Sequence, residues 1–146
     1  MHVRWLYPGS MPEPLAENVR AFLEGKRIGS ICTVNRDGSP QATSLWYELR
    51  GDEIIMNTTN GNKKVRNLRR DPRAAFIVAD HDPTRHVAID GRVTLDESRV
   101  IEDLTELASR YAGPERGPGM AQAIQNRAPH ITLRLSIDRV RTFGQI

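Results

Sequence analysis

Apolar residues near the start of the chain recur with the spacing of a helix. Four of them fall on one stripe: Leu15, Val19, Phe22 and Leu23. Pro14 precedes this segment and Gly25 follows it, which is a common arrangement at the start and the end of helices. The spacing therefore predicts a first helix with one buried side that ends at Glu24.

The apolar period then changes from that of a helix to that of strands. Segments rich in β-forming or alternating residues cover positions 28–34, 41–49 and 53–58. Turn-forming residues separate these segments, first at 35–39 and then in Arg50-Gly51-Asp52. This pattern predicts a hairpin followed by a third strand, which together form a meander.

A short basic helix is predicted after the meander, over residues 63–70. Val65 and Leu68 would face inward, and Asn60 or Asn62 could cap the first turn. Asp71-Pro72 would end the helix, because the residue before a proline disfavours helical geometry. The charged residues of this helix would then face outward.

The rest of the chain predicts further strands and two more helices. Strands are predicted over 74–79, 86–95 and 130–136, with 139–143 as a possible extension of the last. Helices are predicted over 97–111 and 121–126, joined by a link rich in Gly and Pro at 113–119. Six or so antiparallel strands with helices at the ends and between strands favour a mainly β (α+β) fold, a small β-barrel with peripheral helices.

Composition favours one domain over residues 1–146. The chain is 38% hydrophobic and 27% charged, and no apolar run approaches the length of a membrane span. The first eight residues lack the apolar core of a signal peptide, so we expect a cytoplasmic protein. The single cysteine, Cys32, excludes an internal disulfide and is expected to be a small core side chain.

Positive charge is concentrated in one segment. Residues 63–73 hold six Lys or Arg residues against Asp71, a charge of +5, whereas the whole chain carries +3. A protein that lies along a nucleic acid would spread its charge, and no aromatic residue interleaves this basic run. The pattern excludes nucleic acid as the expected partner and points to a compact anion.

The familiar sequence motifs of catalysis are missing. The chain has no G-x-G-x-x-G after a strand, no Walker motif, no H-E-x-x-H and no G-x-S-x-G. Its four histidines are scattered, so we expect no metal site. No residue is identified as catalytic from these patterns.

The strongest candidate site is the start of the basic helix. The polar run Asn57-Thr58-Thr59-Asn60 precedes it, and Lys63 and Lys64 occupy its first turn. Cations there are unfavourable for the helix dipole, but they make sense if an anion binds to the backbone N–H groups. A solvated basic face without a ligand is the alternative. Trp46 shares a strand face with Ser44, and core packing is a commoner role for such a tryptophan than ring stacking.

Three segments resemble a known family. Residues 33–43, the string from Asn57 to Ala74 that contains K-x-x-N-L-x-R-D-P-R, and Asp90-Gly91-Arg92-Val93 are similar to the pyridoxamine 5′-phosphate oxidase-like split-barrel proteins. Within that family the chain resembles the branch that uses the deazaflavin coenzyme F-420. The resemblance covers residues 12–144 and implies a six-stranded antiparallel split β-barrel.

The resemblance also implies where a cofactor would bind. Family members hold the ring system in a cleft between two subunits, so a homodimer is expected. The predicted cofactor-binding residues, from the helix start and from the resemblance together, are Gln41, Ser44, Trp46, Thr58, Thr59, Asn60, Lys63, Lys64 and Asn67. If the protein supplies a proton, Ser44 or Tyr47 would be candidates.

The choice of cofactor depends on the second strand. Flavin-dependent pyridoxamine phosphate oxidases carry an Arg and a Lys there, and residues 41–48 contain neither. The resemblance therefore implies an F-420H2-dependent reductase that transfers a hydride to an electron-poor small molecule. An FMN-binding oxidoreductase of the same fold and a non-enzymatic F-420 or flavin carrier remain as alternatives.

Overall fold

The computed structural model describes residues 14–81 and 84–146. The helices in this part of the chain are α1 Glu17–Glu24, α2 Lys63–Arg70, α3 Val100–Ala112 and α4 Gly117–Arg127. The strands are β1 Gly29–Val34, β2 Pro40–Leu45, β3 Tyr47–Arg50, β4 Glu53–Thr59, β5 Arg73–Ala79, β6 His86–Asp96, β7 His130–Ser136 and β8 Arg139–Phe143. The eight residues on which the signal-peptide argument rests lie outside the described ranges.

All strand pairs are antiparallel, and they form one curled sheet in the order β2-β1-β5-β6-β7-β4-β3. β8 lies off this path and pairs with the first half of β6. The predicted mainly β, split-barrel architecture is confirmed. The described residues form eight strands rather than six, because one predicted strand is divided and residues 139–143 form a strand of their own.

The strand predicted over 41–49 is divided at Trp46. Its first half, β2, pairs with β1, whereas its second half, β3, pairs with β4. The two predicted hairpins are confirmed as β1-β2 and β3-β4, but they do not form one continuous meander, because the shared strand changes partner at Trp46. The two ends of the strand order are consecutive parts of one chain segment, which turns from one side of the barrel to the other at Trp46.

A similar change of partner occurs in β6. Residues up to Arg92 pair with β5, and Val93–Asp96 pair with β7. At the crossing point a Cβ atom on Gly91 would lie 1.8 Å from the carbonyl oxygen of Ser136. Only glycine fits this close approach of the two strands.

The core fills the inside of the barrel. Leu23 of α1 and Val65 of α2 are fully buried against the inward side chains of the strands, which include Tyr47, Met56 and Phe76. The predicted inward residues of both helices are thus confirmed. Burial of these side chains positions α2 against the barrel. Four of its charged residues are exposed as predicted, Lys63, Arg66, Arg69 and Arg70, whereas Lys64 is half-buried.

A smaller apolar cluster holds α3 and α4 together. Leu104 and Ala108 of α3 pack on Ala121 of α4, with Trp46 against them. α4 begins at Gly117, four residues before its predicted start, because Pro118 fits the first turn of a helix. None of the described helices is long and apolar enough to cross a membrane.

Cys32 departs from its prediction. It is half-buried, and it lies on the outward face of β1, where it lines a surface cavity of about 600 Å³. The inward positions of this strand alternate with it and include Ile31 and Thr33. The expected core role was wrong because an apolar run of strand length does not reveal which face a single position occupies.

Candidate functional site

The barrel is split on one side, where β2 and β4 diverge. β3 pairs with β4 only over Glu53–Met56, so residues 57–59 of β4 pair with no strand of residues 14–81 and 84–146 on that side. β2 likewise pairs with β1 alone among the described strands. We call the opening between β2 and residues 57–59 the split, and Trp46 lies at its apex.

Helix α2 closes the wide end of the split. Asn62 caps the helix, as predicted, with its Oδ1 accepting from the backbone N–H of Val65 at 3.1 Å. The Asn62 amide also donates to Thr58 Oγ1 at 2.8 Å. These two bonds fix the helix start directly after β4.

Lys64 lies beside Thr58 within this opening. Its ammonium donates to Thr58 Oγ1 at 3.1 Å, and burial lowers the pKa of Lys64 from its ordinary value. Within residues 14–81 and 84–146, no carboxylate forms an ion pair with Lys64. A half-buried ammonium with a single hydroxyl partner is poorly compensated. An anion in the split would compensate it.

Asn67 fastens the other end of α2 to the barrel. The residue is 3% exposed, and its amide donates to Asn35 Oδ1 at 2.9 Å, Thr33 Oγ1 at 3.1 Å and Gln41 Oε1 at 3.3 Å. Arg70 donates to Asn67 Oδ1 at 3.0 Å. Two of the predicted cofactor residues, Gln41 and Asn67, are thus brought together, and their polar atoms bond mainly to each other and to the hairpin.

Ser44 and Gln41 lie on opposite faces of β2. Gln41 reaches inward to Asn67, whereas Ser44 is exposed and its Oγ lies 3.1 Å from Ser30 Oγ on β1. The two predicted residues would therefore contact different parts of a ligand that lies along the edge of β2.

Trp46 is packed as the commoner role predicts. Its ring stacks on Tyr111 of α3, with centroids 5.1 Å apart and planes inclined by 6°. The tryptophan also contacts the cluster between α3 and α4. Trp46 therefore holds the apex of the split against the helices.

Thr59 and Asn60 lead from β4 into α2. Thr59 is the ladder partner of His130 on β7, and the Asn60 N–H donates to Pro129 O at 2.8 Å. The Asn60 side chain bonds to Glu97 at 3.2 Å and to Arg69 at 3.3 Å. Asn60 thus anchors the turn and is bonded away from Lys64.

Lys63 lies on a different side of α2 from Lys64. It is exposed and lines a shallow basic hollow of about 520 Å³ with Arg36, Arg66, Asn67, Arg69 and Arg70. The described residues place the predicted lysine pair in two environments, one open and one half-enclosed.

Tyr47 is not a proton donor to the split. It is fully buried, its hydroxyl donates to Leu23 O at 2.8 Å, and burial raises the pKa of Tyr47 to about 12. The candidate role was wrong because the bend at Trp46 turns this side chain into the barrel core. Ser44 remains accessible.

The sequence did not identify a cavity of about 400 Å³ at the apex of the split. Asn57 and His130 are polar residues among those that line it, next to Ser44 and Trp46. Asn57 and His130 are far apart in sequence, and no spacing motif links them. The described part of the chain holds no cluster of His, Cys, Asp or Glu that could bind a metal ion.

The described residues thus form a curled antiparallel split barrel with a basic helix across its opening. The family model described as pyridoxamine 5′-phosphate oxidase matches residues 15–144 of the chain. The chain therefore belongs to the pyridoxamine 5′-phosphate oxidase-like family, as its sequence resemblance implied.

Solved structures agree with this membership. A conserved hypothetical protein, Rv2991 from Mycobacterium tuberculosis, is 30% identical with a TM-score of 0.75, over 89% of this chain and 85% of that one. An F-420 reductase is 25% identical with a TM-score of 0.73, over 87% of this chain and 98% of that one. A heme binding protein from Mycobacterium smegmatis is 25% identical with a TM-score of 0.66, over 92% of this chain and 56% of that one.

A curated protein also matches part of the chain. Lipoprotein LpqB of Mycobacterium bovis is 29% identical over 105 residues, which are 72% of this chain. The matched region spans 17% of the length of that lipoprotein.

Flavin-type cofactors are used in the pyridoxamine 5′-phosphate oxidase-like family, which includes oxidoreductases.

Proposed function

We propose that the split binds coenzyme F-420 and that the protein is an F-420H2-dependent reductase of electron-poor small molecules. Lys64 carries the proposal, because its half-buried ammonium has only the Thr58 hydroxyl as a partner among the described residues. A phosphodiester would supply the missing negative charge and further acceptor oxygens. The similar F-420 reductase supports this choice of cofactor.

The dimensions of the split suit an elongated cofactor. From Gln41, which is bonded to α2, to Trp46 at the apex is five residues of extended chain, or roughly 16 Å. A molecule with a charged group at one end and a ring system at the other could lie along this edge. Its charged end would be next to Lys64 and its ring next to Ser44 and Trp46.

The residues of the chain would bind and orient the cofactor, while the bound cofactor would supply the hydride. The acceptor would gain that hydride on carbon and a proton from water, and water would in turn take up the proton that F-420H2 loses on oxidation. Lys64 and Thr58 would hold the phosphodiester, and Ser44 would lie beside the ring. The packed Trp46 would exclude water from one side of the ring.

F-420 fits the charges better than FMN does. β2 carries no Arg or Lys to complete a flavin phosphate site. The basic hollow around Lys63 and Arg66, beside the start of α2, would attract the glutamate tail that F-420 has and FMN lacks. An FMN-binding oxidoreductase is the alternative within the same fold.

We also propose that the protein is a homodimer whose partner covers the outward face of β2, β1, β5, β6 and β8. The described helices leave this face open. Ile77 is 42% exposed on it, between Ser30 and Ala88 on the neighbouring strands, and Phe143 is 54% exposed near its edge. A second copy would bury these side chains and would complete a cleft beside Ser44.

The test is to titrate the apo protein with F-420 and, separately, with FMN, and to measure both affinities by calorimetry. We expect tighter binding of F-420, and oxidation of F-420H2 when quinones or enones are added. Reduced nicotinamides should give no turnover. Equal or tighter binding of FMN would reject the F-420 assignment, and F-420 binding without turnover on any acceptor would favour the carrier alternative.

A further inference from the structure

The cavity of about 400 Å³ at the apex of the split is separate from the phosphate end of the proposed cofactor site. Its apolar wall comes from the strand bend and from both late helices, with Trp46, Leu104, Leu107 and Ile124 among its lining residues. Its volume lies toward the small end of the range for small-molecule sites. A flat molecule of about two fused rings would suit such a wall.

Asn57 provides an unused hydrogen-bond acceptor in this wall. Its amide nitrogen donates to Val100 O at 3.5 Å and to Thr132 Oγ1 at 3.4 Å. Thr132 in turn donates to Asp103 Oδ2 at 2.9 Å, so the threonine oxygen is free to accept from Asn57. These bonds fix the orientation of the Asn57 amide.

The Oδ1 atom of Asn57 is left buried without a partner in the described part of the chain. A buried acceptor without a hydrogen bond costs free energy, and native proteins rarely leave one unpaired. Because Asn57 lines the cavity, a donor on a ligand could satisfy it.

His130 adds a second acceptor to the same cavity. Its Nδ1 lies 2.8 Å from Ala128 O, and a carbonyl oxygen only accepts, so Nδ1 carries the proton. The Nε2 atom of the neutral ring is then an acceptor, and it has no bond to a described residue. Both polar groups would therefore favour a ligand that donates.

We propose that this cavity binds the hydride acceptor, a planar unsaturated carbonyl compound of about two rings with an N–H or O–H on its edge. That donor would bond to Asn57 Oδ1. The inference rests on the proposed function, since Ser44 and Trp46 belong both to the cavity and to the cofactor residues. An acceptor here would lie next to the ring of the cofactor.

The first experiment compares quinolin-2(1H)-one with its N-methyl derivative, which lacks the donor. Calorimetry on the wild-type protein should show the N–H compound binding about tenfold more tightly, the usual effect of one hydrogen bond. In Asn57→Leu this preference should fall to within about twofold. Equal affinities of the two compounds for the wild-type protein would overturn the proposal.

A second experiment locates the ligand without relying on Asn57. Ile124→Trp fills the cavity and should weaken both compounds by about tenfold or more. The matched control Ile101→Trp adds the same side chain to an exposed position of α3 and should leave both affinities unchanged. Unchanged binding in Ile124→Trp would place the ligand elsewhere and reject the cavity.

Titration with F-420 separates this inference from the proposed function. If F-420 binds but each lactam displaces it one for one, the cavity belongs to the cofactor and the inference fails. If the lactams behave as expected and F-420 does not bind, the proposed function fails and the ligand cavity stands. Simultaneous binding of F-420 and lactam supports both.

Discussion

Lys63 and Lys64 are consecutive, yet their ammonium groups serve different surfaces of α2. Lys64 donates to Thr58 Oγ1 at 3.1 Å within the split, whereas Lys63 is exposed beside Arg66 and Arg69. Successive residues of a helix point about 100° apart, which accounts for the difference. The two positions should therefore respond differently to mutation.

Lys64→Met should weaken F-420 binding by about 1.5–3 kcal/mol, the usual value of a charge-assisted hydrogen bond. The third lysine of the chain, Lys26, is exposed outside the split, so Lys26→Met is a control with the same change of charge. Calorimetry of both variants at low and high salt checks the prediction. Added salt should narrow the difference in F-420 affinity between the wild type and Lys64→Met. Equal F-420 affinities of Lys64→Met and Lys26→Met at low salt would contradict the anion site.

The same substitution should stabilise the protein without its cofactor. Burial disfavours the charged form of Lys64, so its pKa is lowered in the folded state. The unfolded chain then binds more protons, and the stability of the wild type should rise with pH between the lowered pKa and the ordinary value near 10.4. Lys64→Met should lack this rise and should melt at a higher temperature than the wild type at neutral pH. Thermal melts of both proteins from pH 7 to 10 test the sign, and a lower melting temperature for the variant would contradict it.

Asn67 is predicted to act through the fold more than through direct contact with the cofactor. Asn67→Ala removes an amide that bonds Thr33, Asn35 and Gln41 and leaves a buried void. We expect a loss of about 2–3 kcal/mol in the free energy of unfolding. Asn60→Ala, at a half-buried turn position whose side chain bonds to Glu97, should cost under about 1 kcal/mol. Urea denaturation measures the free energy of unfolding of both variants. A loss for Asn67→Ala as small as that for Asn60→Ala would show that the hydrogen bonds of Asn67 add little to stability.

Tyr47→Phe tests whether the Tyr47 hydroxyl serves stability alone or also catalysis. The variant leaves the Leu23 carbonyl without its 2.8 Å bond, and we expect a loss of about 1 kcal/mol in stability. Turnover with F-420H2 should stay at the wild-type value, because the hydroxyl lies in the barrel core. A large fall in kcat with unchanged stability would restore Tyr47 as a proton donor.

Local patterns predicted most of the elements. The bounds of α2 could be predicted to the residue because an Asn cap and an Asp-Pro stop bracket two apolar positions. The bend at Trp46 could not, since alternation continues through residues 41–49 and pairing partners are set by the whole sheet. The same bend decides that Tyr47 is core and that Ser44 is accessible.

The site could be predicted only in part for a related reason. Lys64 and Thr58 are close in sequence, and a helix start after a polar run identified both. Asn57 and His130 meet only because β4 pairs with β7, a contact between distant segments that no motif records. The cofactor, the dimer and the cytoplasmic location stay predictions.

The homodimer is tested by adding charge to the open sheet face. Ile77→Glu would place a carboxylate where a second copy is proposed to pack, and burying it unpaired would cost several kcal/mol. We expect sedimentation to show a dimer for the wild type and a monomer for Ile77→Glu at micromolar concentration. Ile101→Glu is the matched control, because Ile101 is 37% exposed on α3, away from this face.

Since the partner is proposed to complete the cleft beside Ser44, Ile77→Glu should also weaken F-420 binding by about tenfold or more. A wild-type protein that is monomeric and still binds F-420 with full affinity would show that the split of one chain is sufficient.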